Sequence, residues 1–192
     1  KWYRLAAERG YVSAQTSLGL RYEKGQGVPK NFETAAKWYR IAARQGSANA
    51  QSNLGFMYQK GRGVPQNYKT AVEWYKLSAK QGDARAQSKL GWMYRKGLGV
   101  PENFQTAFKW YSLAAEQGRA SAQYTLGWMY SVGRGIPKDY LQAYTWTQLA
   151  AAKGNVKSAK LRDWVAKQMT SSQIAEAQNL ARECVRKKYK GC

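Results

Sequence analysis

Cys184 and Cys192 are the two cysteines of the chain, eight positions apart at its C-terminal end. Thiols at that spacing offer oxidation to a disulfide, and closing so short a loop is worth roughly 2 to 3 kcal/mol on chain-entropy grounds. A disulfide that persists implies an oxidising compartment such as a periplasm; two free thiols in a cytosolic tail are the alternative. Other catalytic equipment is sparse. The chain has no histidine, which removes the commonest general base, the commonest metal ligand and the usual partner of a serine or cysteine nucleophile. Two terminal cysteines and scattered carboxylates supply no metal-ligand spacing. Gly25-Gln26-Gly27 and its copies have the outline of a phosphate cradle, but they lack the strand and helix context of a dinucleotide site and read as turns. No catalytic residue, cofactor or metal ion is expected.

The side chains that remain suit contact with another macromolecule. Lys plus Arg number 32 against 11 Asp plus Glu, a formal charge of +21 with a pI near 10.1. Such a field speeds association with an acidic surface; the plainer alternative is a surface kept soluble by lysine. Large aromatics beside basic groups make interface hot spots. The candidate partner-binding residues are Phe56, Trp92, Tyr124 and Trp128 with Lys60, Arg85, Lys89, Arg95 and Lys96. For the aromatics, packing between successive helices is the stronger expectation; for the basic groups, binding is.

These residues are placed by a repeat. Trp2, Trp38, Trp74, Trp110 and Trp146 follow one another at 36-residue intervals, and Gly10, Leu18 and Tyr22 have copies in the same register. A period of this length marks an array whose units bury their apolar faces only by stacking. Ala14, Leu18 and Tyr22 line one face of a first helix, helix A. Gly19 in its middle costs about 1 kcal/mol relative to alanine, which predicts close backbone approach by a neighbouring helix. Gly25, Gly27 and Pro29 end helix A. Asn31, Asn67, Asn103 and Asp139 are N-cap residues that open helix B, which turns Ala35, Trp38, Ala42 and Ala43 inward and ends at Gly46. The candidate binding residues fall on the face of helix A roughly opposite Leu18 and Tyr22.

Ala50-Gln51-Ser52-Asn53-Leu54-Gly55-Phe56-Met57-Tyr58, Gly61-Arg62-Gly63-Val64 and Ala71-Val72-Glu73-Trp74-Tyr75-Lys76-Leu77-Ser78-Ala79 resemble the Sel-one-like repeat, a relative of the tetratricopeptide repeat. The resemblance covers about residues 1–156, with Ser78, Thr147 and Ser158 departing from the pattern. It implies an all-α, right-handed α-solenoid of antiparallel helix pairs, with helix A lining the concave face. Residues 1–156 form a half repeat plus four units. Residues 157–192 hold a degenerate last repeat and a capping helix with Ile174, Ala177, Leu180, Ala181 and Cys184 on its apolar face.

Because the chain opens inside a repeat, at Lys1-Trp2-Tyr3-Arg4, a preceding N-terminal region carrying an export signal is expected. No apolar run approaches the roughly 20 residues that cross a bilayer. The resemblance implies a non-enzymatic, monomeric scaffold that grips an acidic protein, periplasmic or secreted. Its specific form is a bacterial immunity protein that neutralises a type VI secretion effector such as a phospholipase. Two alternatives stay open. One is a nucleic-acid-binding helical repeat, for which the charge would supply phosphate contacts. The other is a β-lactam-binding or β-lactam-hydrolysing member of the family, disfavoured because no serine has a lysine three positions later.

Overall fold

The structure, a computed structural model, describes residues 2–192; Lys1, at the head of the half repeat, lies outside the described residues. These fold into α1 (Trp2–Glu8), α2 (Val12–Lys24), α3 (Phe32–Arg44), α4 (Ala48–Lys60), α5 (Tyr68–Lys80), α6 (Ala84–Lys96), α7 (Phe104–Glu116), α8 (Ala120–Val132), α9 (Tyr140–Ala151), α10 (Val156–Ala166) and α11 (Ser171–Arg186). Helix A of the repeat is α2, α4, α6 and α8; helix B is α3, α5, α7 and α9. This is the expected all-α repeat fold.

The boundaries follow the local chemistry. Side chains of Asn31, Asn67, Asn103 and Asp139 each accept the backbone N–H three residues on, at 2.7 to 3.0 Å, satisfying one of the donors that a helix start leaves orphaned. Each A helix ends on a left-handed glycine, with φ of 72° at Gly25 and 65° at Gly61. The loop then returns so that the Asn31 N–H donates to Tyr22 O at 2.9 Å, and Asn67 to Tyr58 O at 3.0 Å. The B helices end one residue earlier than expected: Gln45, Gln81 and Gln117 are the C-caps, and Gly46 follows with φ of 90°.

The helices group into two compact units, residues 1–86 with 98–101 and residues 87–97 with 102–192. In the first, Ala35, Ala36, Tyr39, Ala42 and Ala43 of α3 pack on Ala50, Leu54 and Met57 of α4. In the second, Tyr111, Ala114 and Ala115 of α7 pack on Ala122, Leu126 and Met129 of α8, together with Trp146 and Leu149 of α9 and Ala181 and Cys184 of α11.

Two expectations need correction. Trp38, Trp74 and Trp110 are only half-buried, and the neighbouring Tyr39, Tyr75 and Tyr111 fill the core instead. At Gly19, Gly55 and Gly91 the nearest obstacle to a side chain is the ring of those tyrosines, and at Gly19 the backbone oxygen of Ala35 follows at 3.3 Å from a Cβ. In the last repeat Thr147 replaces the tyrosine, and a Cβ on Gly127 would lie 2.5 Å from Thr147 Cγ2 and 3.0 Å from Ala143 O.

Thr170 and Gln173 form a capping box at the start of α11. Ala177, Ala181 and Cys184 face inward, while Arg182, Glu183, Arg186, Lys187 and Lys188 are exposed. Cys184 and Cys192 are joined by a disulfide. The turn it closes places the Tyr189 ring beside Gly118 and 4.0 Å from Lys153 Nζ.

Candidate functional site

In the first unit, Phe56 is half-buried near the C-terminal end of α4 and Lys60 is exposed in its last turn. Arg85 is exposed at the start of α6, donating to Asn49 Oδ1 at 2.7 Å and pairing with Asp83 at 3.2 Å. With the Asp83 side chain largely buried and Arg85 half-exposed, the pair fixes where the guanidinium points. Arg62 stacks on two rings at once, with its guanidinium carbon 5.4 Å from the centroid of Phe56 and 5.5 Å from that of Phe32. The loop reaches Phe32 because Gly63 has no side chain; a Cβ there would overlap the backbone carbonyl of Phe32.

In the second unit, Lys89, Trp92, Arg95, Tyr124 and Trp128 are half-buried and Lys96 is exposed. Trp92 and Trp128 pack, partly buried, against the α7–α8 core. Arg95 lies 5.4 Å from the Trp128 ring centroid, and Arg134 lies 5.1 Å from that of Phe104. Arg95, Lys96, Glu102, Phe104, Trp128, Val132 and Arg134 enclose a cleft of about 360 Å³.

Arg95 is also part of the core hydrogen bonding. Tyr39 donates to Glu23 and Tyr75 to Gln59, each at 2.7 Å; the residue in that register beneath Tyr111 is Arg95. Burial raises the Tyr111 hydroxyl above its ordinary pKa, and the charge and hydrogen bond of Arg95 pull it partly back.

The structure thus gathers Arg95, Lys96 and Trp128 in one cleft. Phe32, Arg62, Glu102, Phe104 and Arg134 complete these surfaces and were missed. Their signal is in the sequence: an aromatic residue follows every helix B N-cap, as Phe32, Tyr68, Phe104 and Tyr140, and arginine occupies the middle of the Gly-x-Gly turn at positions 62 and 134. Among the described residues, no group of three or more His, Cys, Asp or Glu side chains converges as a metal site would require. Among the described residues, likewise, no helix is long and apolar enough to cross a membrane.

The family model of the Sel1 repeat matches residues 1–11, 12–47, 48–83, 84–118 and 120–155. The chain belongs to the Sel1 repeat family. Among solved structures, it is similar to a protective antigen of uropathogenic Escherichia coli with an SLR fold, at 36% identity and a TM-score of 0.90 over 98% of this chain. The match spans 41% of that longer protein. A Sel1 repeat protein from Oxalobacter formigenes is also 36% identical, with a TM-score of 0.80, the match covering 93% of this chain and 72% of that one. An immunity protein from Pseudomonas aeruginosa matches at 21% identity and a TM-score of 0.54, over 91% of this chain and 72% of its own, and shares the fold. No curated protein matches the sequence. The five matched Sel1 segments account for α1 to α9, and the glutamine, tyrosine and Gly-x-Gly positions described above recur within them.

Proposed function

We propose that this Sel1 repeat protein is a non-enzymatic scaffold that binds an acidic protein through the outward faces of its A helices and the Gly-x-Gly turns that follow them. The observation that carries the proposal is charge. Cations outnumber carboxylates 32 to 11, and Lys60, Arg85 and Lys96 are exposed on A helices. Basic groups so placed steer an acidic partner and fix its register more than they add raw affinity. The test is retention of proteins from the native host on immobilised protein at low and moderate salt, beside the variant K60E/R85E/K96E. An acidic protein is expected to be retained by the wild type and released by the charge reversal. Equal retention by both would remove the proposal.

A narrower form is a periplasmic or secreted immunity protein that neutralises a type VI secretion effector, such as a phospholipase. The Cys184–Cys192 bridge supports an oxidising compartment, and the basic surface supports fast, register-specific encounter with an acidic toxin. Cells lacking the protein are then expected to be killed in mixed culture by an effector-secreting neighbour. Unchanged survival would remove the narrower form and leave the scaffold standing.

A further inference from the structure

The cleft between α6, α8 and the turn after α8 differs from its counterpart two repeats earlier in a way that points to a ligand. In the first unit a single guanidinium, that of Arg62, lies over both Phe56 and Phe32, at 5.4 and 5.5 Å from the ring centroids. In the second unit the same two ring positions hold Trp128 and Phe104, but each carries its own guanidinium, Arg95 and Arg134 respectively. Between them a space of about 360 Å³ stays open, above the roughly 300 Å³ at which small-ligand pockets begin. Arg95, Lys96 and Arg134 face one carboxylate, Glu102, across it, so the cleft carries two positive charges more than it neutralises.

Arg95 is the unusual member. In its register Glu23 and Gln59 accept a hydrogen bond from a core tyrosine, whereas an arginine can only donate. Its Nε is buried and has no hydrogen-bond partner. A buried donor left unsatisfied is costly, and breaks in the local pattern of this kind are expected at functional or strained positions.

We propose that this cleft is a docking pocket for an acidic side chain of the partner protein, presented next to an aromatic residue in an extended segment. The carboxylate pairs with Arg95 and Arg134, whose stacking on Trp128 and Phe104 already fixes their planes for bidentate contact. The neighbouring aromatic residue packs against the exposed face of Trp128, as anchors at protein interfaces do. The inference rests on the scaffold reading above and names the chemistry of one contact within it.

The test uses the full chain labelled with ¹⁵N and an acetylated, amidated peptide Gly-Glu-Phe-Glu-Gly, followed by the Trp128 indole signal, which is assigned with Trp128→Phe. The peptide is expected to shift that signal in a saturable way. Replacing both glutamates by glutamine should weaken binding at least tenfold, and so should Arg134→Gln, which alters an exposed turn. Lys160→Gln, exposed on α10 and away from this cleft, should leave it unchanged. If the signal does not move at millimolar peptide, or if the glutamine peptide binds as well as the glutamate peptide, the pocket is not an acidic-side-chain site. If binding occurs but is lost in K60E/R85E and unaffected by Arg134→Gln, the scaffold reading stands and the pocket assignment falls. If acidic proteins and the peptide both fail to bind, both readings fall.

Discussion

The ring of Tyr75 occupies the space above Gly55: a Cβ built on that glycine would lie 2.9 Å from Tyr75 Cδ1 and Cε1. Tyr75 is fully buried and its hydroxyl is tied to Gln59 at 2.7 Å, so the ring has no room to withdraw. Gly55→Ala gains about 1 kcal/mol of helix propensity but overpacks the core, which typically costs about 1 to 3 kcal/mol. A net loss of about 1 kcal/mol is expected in urea unfolding. Combined with Tyr75→Leu, which removes the ring, the alanine should become neutral or stabilising; strict additivity of the two substitutions would contradict the contact.

A buried glutamine binds α2, α4 and α8 each to the helix before it. Gln51 donates to Ala43 O at 3.1 Å and accepts from Gln81 Nε2 at 2.7 Å. Gln123 donates likewise to Ala115 O at 3.2 Å, but its Oε1 has no partner, because Lys153 stands where a glutamine would follow and donates to Gly118 O instead. Gln51→Leu therefore breaks two hydrogen bonds, leaving Ala43 O its backbone bond from the Gly46 N–H, for an expected loss of about 1 to 3 kcal/mol. Gln123→Leu removes one bond and one unsatisfied oxygen, and should cost clearly less. Equal losses by chemical denaturation would argue against the pairing.

The helix order, the Asn31-type N-caps and the turn glycines were all legible in the sequence, because capping and left-handed turns depend on a few adjacent residues. The choice between Trp38 and Tyr39 as the core residue was not. Adjacent positions on helix B differ by about 100° in direction, and which of two large aromatics faces inward is decided by the space that Gly19 leaves on the partner helix. Arg95 was legible as a candidate through its register, but its cleft was not, because Phe104 and Arg134 come from other elements of the repeat. The stacking of Arg62 and Arg134 on helix-start aromatics needs the Gly63 and Gly135 turns to lie against the preceding helix B, a tertiary contact with no local signature.

Burial raises the Tyr75 hydroxyl well above its ordinary pKa, and Tyr39 is raised by burial first and then by its hydrogen bond to Glu23. The folded state thus holds both phenols neutral at a pH where the unfolded chain ionises them. Their contribution to stability is complete below about pH 10, the unfolded value, and falls as pH rises beyond it, by about 1.4 kcal/mol per pH unit for each. Melting temperature is expected to drop steeply between about pH 10 and 11.5. Tyr75→Phe should start lower at neutral pH, having stranded Gln59, yet fall less steeply. Parallel curves for variant and wild type would show that Tyr75 ionises freely in the folded protein.

The Cys184–Cys192 bridge closes the turn that presses Tyr189 against Gly118 and Lys153, and both Tyr189 and Cys192 pack on the α7–α8 core. Its loss frees a short loop in the unfolded chain, worth about 2 to 3 kcal/mol, and loosens the segment that covers Ala181 and Cys184. In Cys184→Ser/Cys192→Ser, amide exchange should quicken along the last turns of α11 and in residues 187–192, while α3 and α4 keep their protection. Tyr189→Ala in the oxidised protein, which removes the ring from Gly118 and Lys153, should quicken exchange in residues 187–192 with the bridge intact. If reduction changes exchange nowhere in α11, the bridge contributes nothing to holding that helix in place; if it loosens α3 and α4 equally, the two units unfold together and the effect is global.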